Sequence, residues 1–556
     1  MTRVPRPSLR KPAAIFAAVA LAVAVAILGF RWWDHYVEDQ LGRWAAGEVA
    51  GRTGGAYRLV VGDLSLLPLS GSISLDSVIV TTDTVRNRRR QTPLPQLEWR
   101  AHDCSVVGLD LLRLVFRRAL VARGFGCARV VTRIVLPPQT PEERRPSRDS
   151  AAPADKVEEL ARPLGLSSLA VADISLPALS FTLKRPDAGD GTALLLEHAR
   201  FEAKGLVFDP AASSKERRSL SADRAQLSAE GLVLRRDSLT EIVVAEVEVG
   251  FTDSTLRLTG ARHEPAIPEA EWLRRVRVRR DRIRFALDSL SARGVAYRAF
   301  VATGSIGIRA LELDGARLDV LTDKRIPRGR PSRHETPQQV ARSPGQALRL
   351  DTVVVRRGTI VYREREPGRE RPGWVSFDSV RGTMLDLGVP ARGKPLMIEA
   401  AARLMNQGSL TVEASVPLDA PDFRYQLSGK LGRMPAAALN RFLEENEAFE
   451  VESGRIEGIT FRQTAKGGRA ATTLTARYRH LSVETTGDGG GVIGAVSREV
   501  KEVLADAFVV RSRNPDEDGD NLRTARTVRR YDPSQSWFQF LWLGLRDGLT
   551  ATVKEG

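Results

Sequence analysis

Three glycines near the C-terminus have the spacing that could bind a dinucleotide. Gly489, Gly491 and Gly494 match the G-x-G-x-x-G pattern, which lets backbone N–H groups approach a pyrophosphate. The pattern follows a predicted strand over 481–486 and precedes an amphipathic helical pattern over 495–510. A dinucleotide fold needs a strand–helix–strand unit in a largely parallel sheet, whereas the flanking pattern is antiparallel. We therefore interpret the motif as a flexible connection to a tail helix.

A second group of residues resembles the first half of a calcium loop. Asn514, Asp516, Asp518 and Gly519 fit its early positions, but the twelfth position, where a bidentate Glu belongs, is Ala525. This pattern predicts a solvated turn, with a weak cation site as the alternative. The sequence has no P-loop, G-x-S-x-G or H-E-x-x-H motif and no recognisable pair of catalytic carboxylates. We expect no catalytic residue, no cofactor and no metal site, and predict that the protein is not an enzyme.

The two cysteines, Cys104 and Cys127, could form a disulfide in an oxidising compartment. The pattern between them predicts a strand, a short helix over 110–120 and a second strand, which would bring the two together. Two buried thiols are the alternative. Because the cysteines are not spaced as C-x-x-C, a bridge would be structural and not catalytic.

The N-terminus predicts a membrane anchor. Ala13 to Phe30 is a run of 18 apolar or small residues, and as a helix it covers about 27 Å, close to the ~30 Å hydrocarbon core. Basic residues precede it and Trp32 and Trp33 follow, which places the N-terminus in the cytoplasm. A cleaved signal peptide is the alternative, but no small-x-small site follows the run. We predict a cytoplasmic stub and anchor over 1–33, with the rest of the chain exported.

Charge and composition narrow the class of partner. The 556 residues include 84 Lys and Arg against 68 Asp and Glu, a net charge of +16. The arginines are spread along the chain and do not form the basic patch that is typical of a nucleic-acid-binding surface. Aromatic residues, on which bases could stack, make up only 6 % of the chain. For an exported chain, anionic lipid head groups or lipopolysaccharide fit this charge better, and a solvated basic face is the alternative.

Short alternating stretches predict strands beyond the anchor. Apolar residues alternate with polar ones and are separated by Gly, Asp and Pro, as in antiparallel sheets with one buried face. Asp314-Gly315 is predicted to turn the chain between two such stretches. We therefore predict a mainly β fold. The candidates for an apolar lining are Ile174, Leu176, Ile306, Ile308, Leu318 and Val320.

Two short motifs recur. The first motif is a hydrophobic residue followed by Asp, then by Ser or Thr, and then by Val or Leu. It occurs at 75–78, 287–290, 350–353 and 377–380. Ala, a charged residue, Gly and an aliphatic residue occur at 203–206, 229–232 and 292–295. Both motifs indicate a repeated unit of strand, glycine turn or bulge, and strand.

Composition also divides the chain. Two segments rich in Pro and charge, 136–156 and 326–346, read as linkers. They separate predicted β segments over 34–135, 157–325 and 347–486 from a helical tail over 487–556.

The tail contains an apolar segment over 537–549 that is too short to span a bilayer. It is apolar enough to lie at a membrane surface or in an apolar groove, and a core helix is the alternative. The residues predicted to make that contact are Trp537, Phe538, Leu541 and Trp542.

The order of these features resembles a known family. The anchor is followed by the strand–helix–strand segment from Cys104 to Val130, and then by the Leu-Asp-Thr-Val…Gly-Thr-Ile stretch at 350–360. Later come Leu439-Asn440-Arg441-Phe442-Leu443, 451–456 and 478–483. Over most of residues 10–486 this order resembles the AsmA-like proteins of Gram-negative envelopes.

The resemblance implies a fold and a function. It implies a single-pass inner-membrane protein whose periplasmic part is a long, curved, mostly antiparallel sheet with an open groove for lipid acyl chains. Such a protein would shield or guide phospholipids or other envelope lipids and support outer-membrane assembly, and outer-membrane assembly proteins would be its partners. The alternative is a scaffold or regulator of outer-membrane protein assembly that carries no lipid. Nucleic acid is not an expected partner.

Overall fold

The chain is mainly β, as the sequence predicts. The computed structural model describes the separate positions 43, 46, 47, 49–51 and 329 and the ranges 53–67, 70–90, 94–117, 119–137, 168–185, 192–208, 220–237, 239–327, 334–342, 347–391, 393–447, 449–485 and 510–554. The predicted anchor with Ala13, Phe30, Trp32 and Trp33, the glycine motif at 489–494 and all but the last residue of the predicted helix over 495–510 lie outside these residues. Among the helices that the structure describes, none has both the length and the apolar character needed to cross a bilayer.

The described residues belong to two compact units. Unit 1 takes in nearly all of the chain up to Leu227, and unit 2 continues from Ser228 to the C-terminus. The strand β9 (Arg224–Asp237) contains the point of division.

The sheet of unit 1 is built around β3, which pairs with both β1 and β2, and then continues in chain order from β4 to β8. Its strands are β1 (Tyr57–Val61), β2 (Leu64–Leu67), β3 (Ser72–Thr82), β4 (Gln96–Val107), β5 (Ala119–Val135), β6 (Ser168–Lys184), β7 (Thr192–Phe208) and β8 (Leu220–Ser221). Its short helices are α1 (Thr84–Arg88) and α2 (Leu111–Arg117), and α2 confirms the helix predicted within 110–120.

The sheet of unit 2 also follows chain order, except that β12 pairs with both β13 and β14, and β21 pairs with both β19 and β20. Its strands are β10 (Thr240–Gly250), β11 (Thr255–Pro265), β12 (Arg282–Arg293), β13 (Ile306–Asp314), β14 (Arg317–Asp323), β15 (Leu348–Arg365), β16 (Gly373–Val389), β17 (Leu396–Leu404), β18 (Gly408–Val416), β19 (Tyr425–Leu431), β20 (Met434–Pro435), β21 (Phe449–Lys466), β22 (Arg469–Thr485) and β23 (Thr524–Arg530). Its helices are α3 (Glu269–Arg275), α4 (Tyr297–Thr303), α5 (Pro337–Arg342), the 3₁₀ helix η1 (Ala436–Leu439), α6 (Asn440–Asn446) and α7 (Trp537–Val553).

Most strand pairs are antiparallel, but the sheets are mixed. In unit 1, β5 and β6 are parallel, and in unit 2 both β13 and β14 are parallel to β15. Parallel neighbours need a crossover connection, because the chain must return to the end where it started. The two Pro-rich segments predicted as linkers fall between these parallel strands in sequence. The described part of the second segment contains α5, in which Ala341 is buried.

The recurring Asp motif marks places where the alternation along a strand shifts by one residue. In unit 1, Asp76 of the first motif lies opposite Asp103 of β4, which has a φ of 51°. On either side of Asp103, Ala101 and Cys104 are both buried in one cluster although they are three positions apart. A residue with positive φ rotates the chain locally, so that positions i and i+3 face the same way.

The same pairing of kinks occurs in unit 2. Asp288 of the second motif lies opposite Gly260, which has a φ of 62°. Asp351 of the third motif lies opposite Asp386, which also has a φ of 62°. The register is the same on both sides of each kink, so the neighbouring strands change direction together. Three of the four copies of the motif therefore mark kinks within long strands, and the fourth, at 377–380, lies where the pairing of β16 with β17 shifts register.

The prediction of a turn at Asp314-Gly315 is wrong, because the chain does not reverse its direction there. The strands on either side of it, β13 and β14, pair with β12 in one unbroken register, from Ser289 opposite Asp314 to Ala286 opposite Arg317. Gly315 has a φ of 67°, which only glycine adopts easily, and this conformation bends the chain without reversing it. The two stretches are thus one kinked strand line.

Candidate functional site

A continuous row of apolar residues crosses the sheet of unit 2 from β10 to β23. Directly opposite residues on neighbouring strands project from the same face, so a chain of such pairs traces a line across the sheet. Twelve strands at about 4.8 Å each give this line a length of roughly 50 Å. We call it the long apolar row, and its members are Val247, Leu258, Leu290, Leu313, Val355, Gly382, Ala400, Val412, Gly429, Phe461, Leu474 and Ala525.

A second row runs beside it, two residues along each strand. It is apolar from β10 to β19 and ends in the polar pair Gln463 and Thr472 on β21 and β22. Its apolar members are Val249, Leu256, Ala292, Leu311, Val353, Met384, Ile398, Ala414 and Leu427. We call the face that carries both rows the inner face of unit 2 and the opposite one the outer face.

Burial varies along the long apolar row. Leu258, Leu290, Leu313 and Val355, on β11 to β15, are each only half-buried. At the two ends of the row, Val247 is 8 % exposed and Leu474 is 1 % exposed. The middle of the row therefore leaves apolar surface in contact with solvent, while its C-terminal end is covered.

Helix α7 covers that end. Ser536 caps it by accepting a hydrogen bond from the Gln539 backbone N–H at 3.1 Å. Its buried residues recur every fourth position, which places them in one stripe along the helix. These residues are Phe540, Gly544, Gly548 and Thr552.

Phe540 anchors the helix in the core of the sheet. It is fully buried and packs with Phe423, Tyr425 and Tyr531, whose rings lie at tilted or edge-on angles to one another. Beyond it, the glycines at 544 and 548 let the helix backbone approach β21 and β22. A Cβ on Gly544 would lie 2.1 Å from Gln463 Nε2.

A buried polar group lies beneath this close approach. The Tyr425 hydroxyl donates to Gln463 Oε1 at 2.7 Å, and Gln463 Nε2 donates to Thr472 Oγ1 at 2.9 Å. Burial raises the pKa of Tyr425 far above its ordinary value, so the hydroxyl keeps its proton. Gln463 Nε2 also lies 3.5 Å from the Leu541 backbone oxygen, so the group contacts α7.

The tail residues predicted to contact a membrane or a groove differ in their exposure to solvent. Leu541 packs against the core cluster that contains Phe540. Trp537, Phe538 and Trp542 are exposed, at 39 %, 63 % and 44 %. The tail helix thus covers the sheet with one side and leaves three aromatic rings of its first two turns exposed to solvent.

In unit 2, two of the predicted lining residues, Leu318 and Val320, belong to further apolar rows. Leu318 lies between Phe285 and Ile360, and Val320 lies between Ile283 and Tyr362. All of these side chains are half-buried except Ile283, which is 41 % exposed.

The other predicted residues take part in shorter pairings. In unit 2, Ile306 lies opposite Leu348 and Ile308 opposite Leu350. In unit 1, Ile174 is buried in a cluster that Leu176 also contacts. Their role in lining a groove stays a prediction.

A group of charged side chains lies near the ends of β14 and β15. The Lys324 ammonium is 2.5 Å from Glu364 Oε1 and also contacts Glu366, and the Tyr362 hydroxyl donates to Glu364 Oε2 at 2.5 Å. Burial would lower the pKa of Lys324, but the two carboxylates hold it above its ordinary value. Burial raises the pKa of Glu366 despite the neighbouring ammonium. The ammonium of Lys324 and the carboxylates of Glu364 and Glu366 thus neutralise one another within the fold.

The calcium-like segment forms a turn. Asn514 is fully buried, and its side chain donates to the backbone oxygens of Ala476 and Arg523 and accepts from the Arg523 N–H. Asp516 accepts a hydrogen bond from the Asn521 N–H at 3.2 Å. In the part of the chain that the structure describes, no three His, Cys, Asp or Glu side chains are arranged to hold a metal ion.

In unit 1, Cys104 and Cys127 are joined by a disulfide. They lie directly opposite each other on β4 and β5, with α2 in the connection between the two strands. Ala101 and Val130 pack around the bridge, so it is a buried staple between neighbouring strands.

Comparison with known proteins adds no relative. No protein-family model and no curated protein matches the chain.

Sequence reasoning missed two features of this site. The long apolar row was missed because its members are far apart in sequence and come together only through strand pairing. Phe540 was missed in favour of its more conspicuous aromatic neighbours, although the four-residue spacing from Phe540 to Thr552 is readable in the sequence.

Proposed function

We propose that this protein is an inner-membrane-anchored periplasmic protein that shields or guides lipids. In this proposal, acyl chains lie in an open groove along the inner face of a curved sheet and move without chemical change. The observation that supports it is the long apolar row, which crosses twelve strands and is only half-buried in its middle.

The driving force follows from the exposed apolar surface. Covering such surface with an acyl chain stabilises the complex by about 25 cal/mol per Å² removed from water. Movement along the row needs contacts that do not fix a lipid in one place. The row supplies this because its members, by residue type, carry no polar side chain. The resemblance to AsmA-like proteins supports the cellular setting of the proposal.

The test is native mass spectrometry of the full chain, released gently from membranes after expression in a Gram-negative host. We expect bound phospholipid in the wild-type protein. Replacing Leu290 and Leu313 together with Glu places two charges in the half-buried part of the row, and we expect most of the lipid to be lost.

The control places the same charges on the outer face. Leu385 and Met397 are 39 % and 38 % exposed and lie opposite each other there. The double variant Leu385→Glu/Met397→Glu should keep its lipid. Equal lipid in both double variants would contradict the proposal, provided that circular dichroism shows both to be folded.

A second candidate is a scaffold for outer-membrane protein assembly that carries no lipid. The free edge of β23 favours it, because within the described residues this strand pairs only with β22, and Val528 in its centre is 71 % exposed. An edge strand of this kind can add a strand from another protein. A lipid-free mass for the wild-type chain would favour this candidate.

A further inference from the structure

The outer face of unit 2 carries a depression whose lining combines apolar surface with polar side chains. It spans β18 to β22 and has a volume of about 410 Å³. Its polar lining consists of two basic side chains and four hydroxyls, contributed by Ser409, Thr411, Lys430, Thr460, Thr475 and Arg477.

Two glycines and a break in strand pairing form this depression. Gly432 and Gly458 are part of its lining and carry no side chain to fill it. The pairing of β21 with β22 shifts register between Ile456 and Gly458, which bends the strand at this point. The result is a hollow in a face that is otherwise covered by alternating side chains.

Strand register brings the two basic groups to the same hollow. Thr411, Lys430, Thr460 and Thr475 follow one another on neighbouring strands, and Arg477 is two residues further along β22. Lys430 and Arg477 are therefore separated by two strand spacings, about 10 Å across the sheet. Their long side chains can reach one ligand from opposite sides.

The charges in the hollow are unbalanced. None of its lining residues is a carboxylate. The carboxylate at the neighbouring position 457 is already engaged, since Glu457 lies 3.1 Å from the guanidinium of Arg433. Among the described residues, neither Lys430 nor Arg477 forms an ion pair.

We propose that this hollow binds the phosphoryl group of a phosphorylated polyol. An ammonium and a guanidinium favour phosphate oxygens, and Arg can bind two of them at once. The Thr475 hydroxyl already shares a hydrogen bond of 2.8 Å with the Thr524 hydroxyl. The Ser409, Thr411 and Thr460 hydroxyls can both donate and accept hydrogen bonds, which suits the hydroxyls of a glycerol or a sugar. The ligand is either a free polyol phosphate or the same group on a lipid head.

This site is independent of the proposed lipid groove. Lys430 and Arg477 lie on the outer face, whereas their neighbours Leu431 and Ala476 are buried on the inner one. Loss of one site should leave the other intact, so the two proposals fail separately.

The test measures binding of the full chain to two probes. Glycerol phosphate, titrated by calorimetry with glycerol as the blank, represents the free ligand. Phosphatidylcholine vesicles with and without phosphatidylglycerol represent the lipid head group. The variant is Lys430→Gln/Arg477→Gln, for which we expect binding at least roughly tenfold weaker, because two charge-assisted contacts are lost.

The control removes the same charge from the same sheet. Arg469 and Arg530 are exposed and lie opposite each other on β22 and β23, outside the hollow. Arg469→Gln/Arg530→Gln should bind like the wild type. A charge-conserving variant, Lys430→Arg/Arg477→Lys, should retain most of the affinity and shows whether the fold tolerates change at these positions.

Each possible outcome of this test either supports or overturns the proposed phosphoryl site. Binding of glycerol phosphate that only the pocket variant loses supports the site with a free ligand. Binding of only the anionic vesicles, again lost only in that variant, supports the site with a lipid head group. Equal weakening in the pocket and control variants would indicate general charge attraction and overturn the proposal. Absence of wild-type binding to both probes would also overturn it.

Discussion

At the scale of single residues, Glu447 is a carboxyl group whose pKa the fold raises above its ordinary value. It follows the last residue of α6, where the helix dipole disfavours a negative charge. Burial raises the pKa of this carboxyl, and Glu364 and Glu366 raise it further, while Arg546 and Lys324 lower it. The fold therefore favours the protonated form.

We predict that Glu447→Gln stabilises the protein at neutral pH. Because the pKa of Glu447 is higher in the folded than in the unfolded state, its contribution is complete below the ordinary carboxyl value of 4.5. It is lost as the pH rises through the folded value. The glutamine variant should unfold at a higher urea concentration than the wild type at neutral pH.

The difference should disappear in acid, below the ordinary carboxyl pKa. Glu444→Gln, on the same helix, serves as the control for removing one charge. A Glu447→Gln variant that is less stable than the wild type at neutral pH would show that the carboxylate is stabilised by its basic neighbours.

At the scale of elements, the close packing of α7 on the sheet depends on two glycines of the helix, which have no side chain. Gly544 packs over Gln463, whose amide is fixed by hydrogen bonds to Tyr425 and Thr472. Gly548 packs less tightly, since a Cβ there would lie 3.1 Å from the Leu474 Cβ.

We predict that Gly544→Ala lowers the free energy of unfolding by about 1–3 kcal/mol, because the added methyl group overpacks the interface. Gly548→Ala should have a smaller effect. Both can be measured by urea unfolding followed by tryptophan fluorescence. Equal stability of Gly544→Ala and the wild type would mean that Gln463 can move aside.

The elements also show how far the sequence could predict the fold. Alternating apolar residues predicted strands correctly, because the alternation reflects one covered and one exposed face. The Asp-Ser/Thr motif was recognised but read as a turn or bulge, whereas three of its four copies have Asp opposite a residue with positive φ on the adjacent strand. Pairing of this kind is invisible in one chain segment.

The parallel strand pairs were not predicted, for a related reason. A Pro-rich segment reads as a boundary between domains, because it has no apolar periodicity of its own. Here the chain before and after 326–346 belongs to one sheet, in which β13 and β14 pair with β15. Only the partner strand reveals that the segment is a crossover.

At the scale of the whole molecule, the disulfide lies in one of the two units. Its cysteines are 23 residues apart, and a loop of this length stabilises a fold by about 3 kcal/mol. We predict that Cys104→Ala/Cys127→Ala speeds hydrogen exchange in peptides from 96–135 and leaves peptides from 408–485 unchanged. Hydrogen exchange followed by mass spectrometry of the double variant and of the wild-type chain measures both regions at once.

Faster exchange in both regions would contradict this prediction, because it would show that the units lose structure together. Treatment of the wild-type chain with a reductant is the matched experiment without mutation. It should reproduce the pattern of the double variant.

The paired kinks constrain how such a protein can change over generations. Asp76 and Asp103, or Asp351 and Asp386, must stay opposite each other, because each kink turns both strands at once. A one-residue insertion before a kink in a single strand would send every later side chain of that strand to the wrong face. Heritable changes of strand length must therefore occur in neighbouring strands together, and duplication of a whole hairpin is the simpler route to a larger sheet.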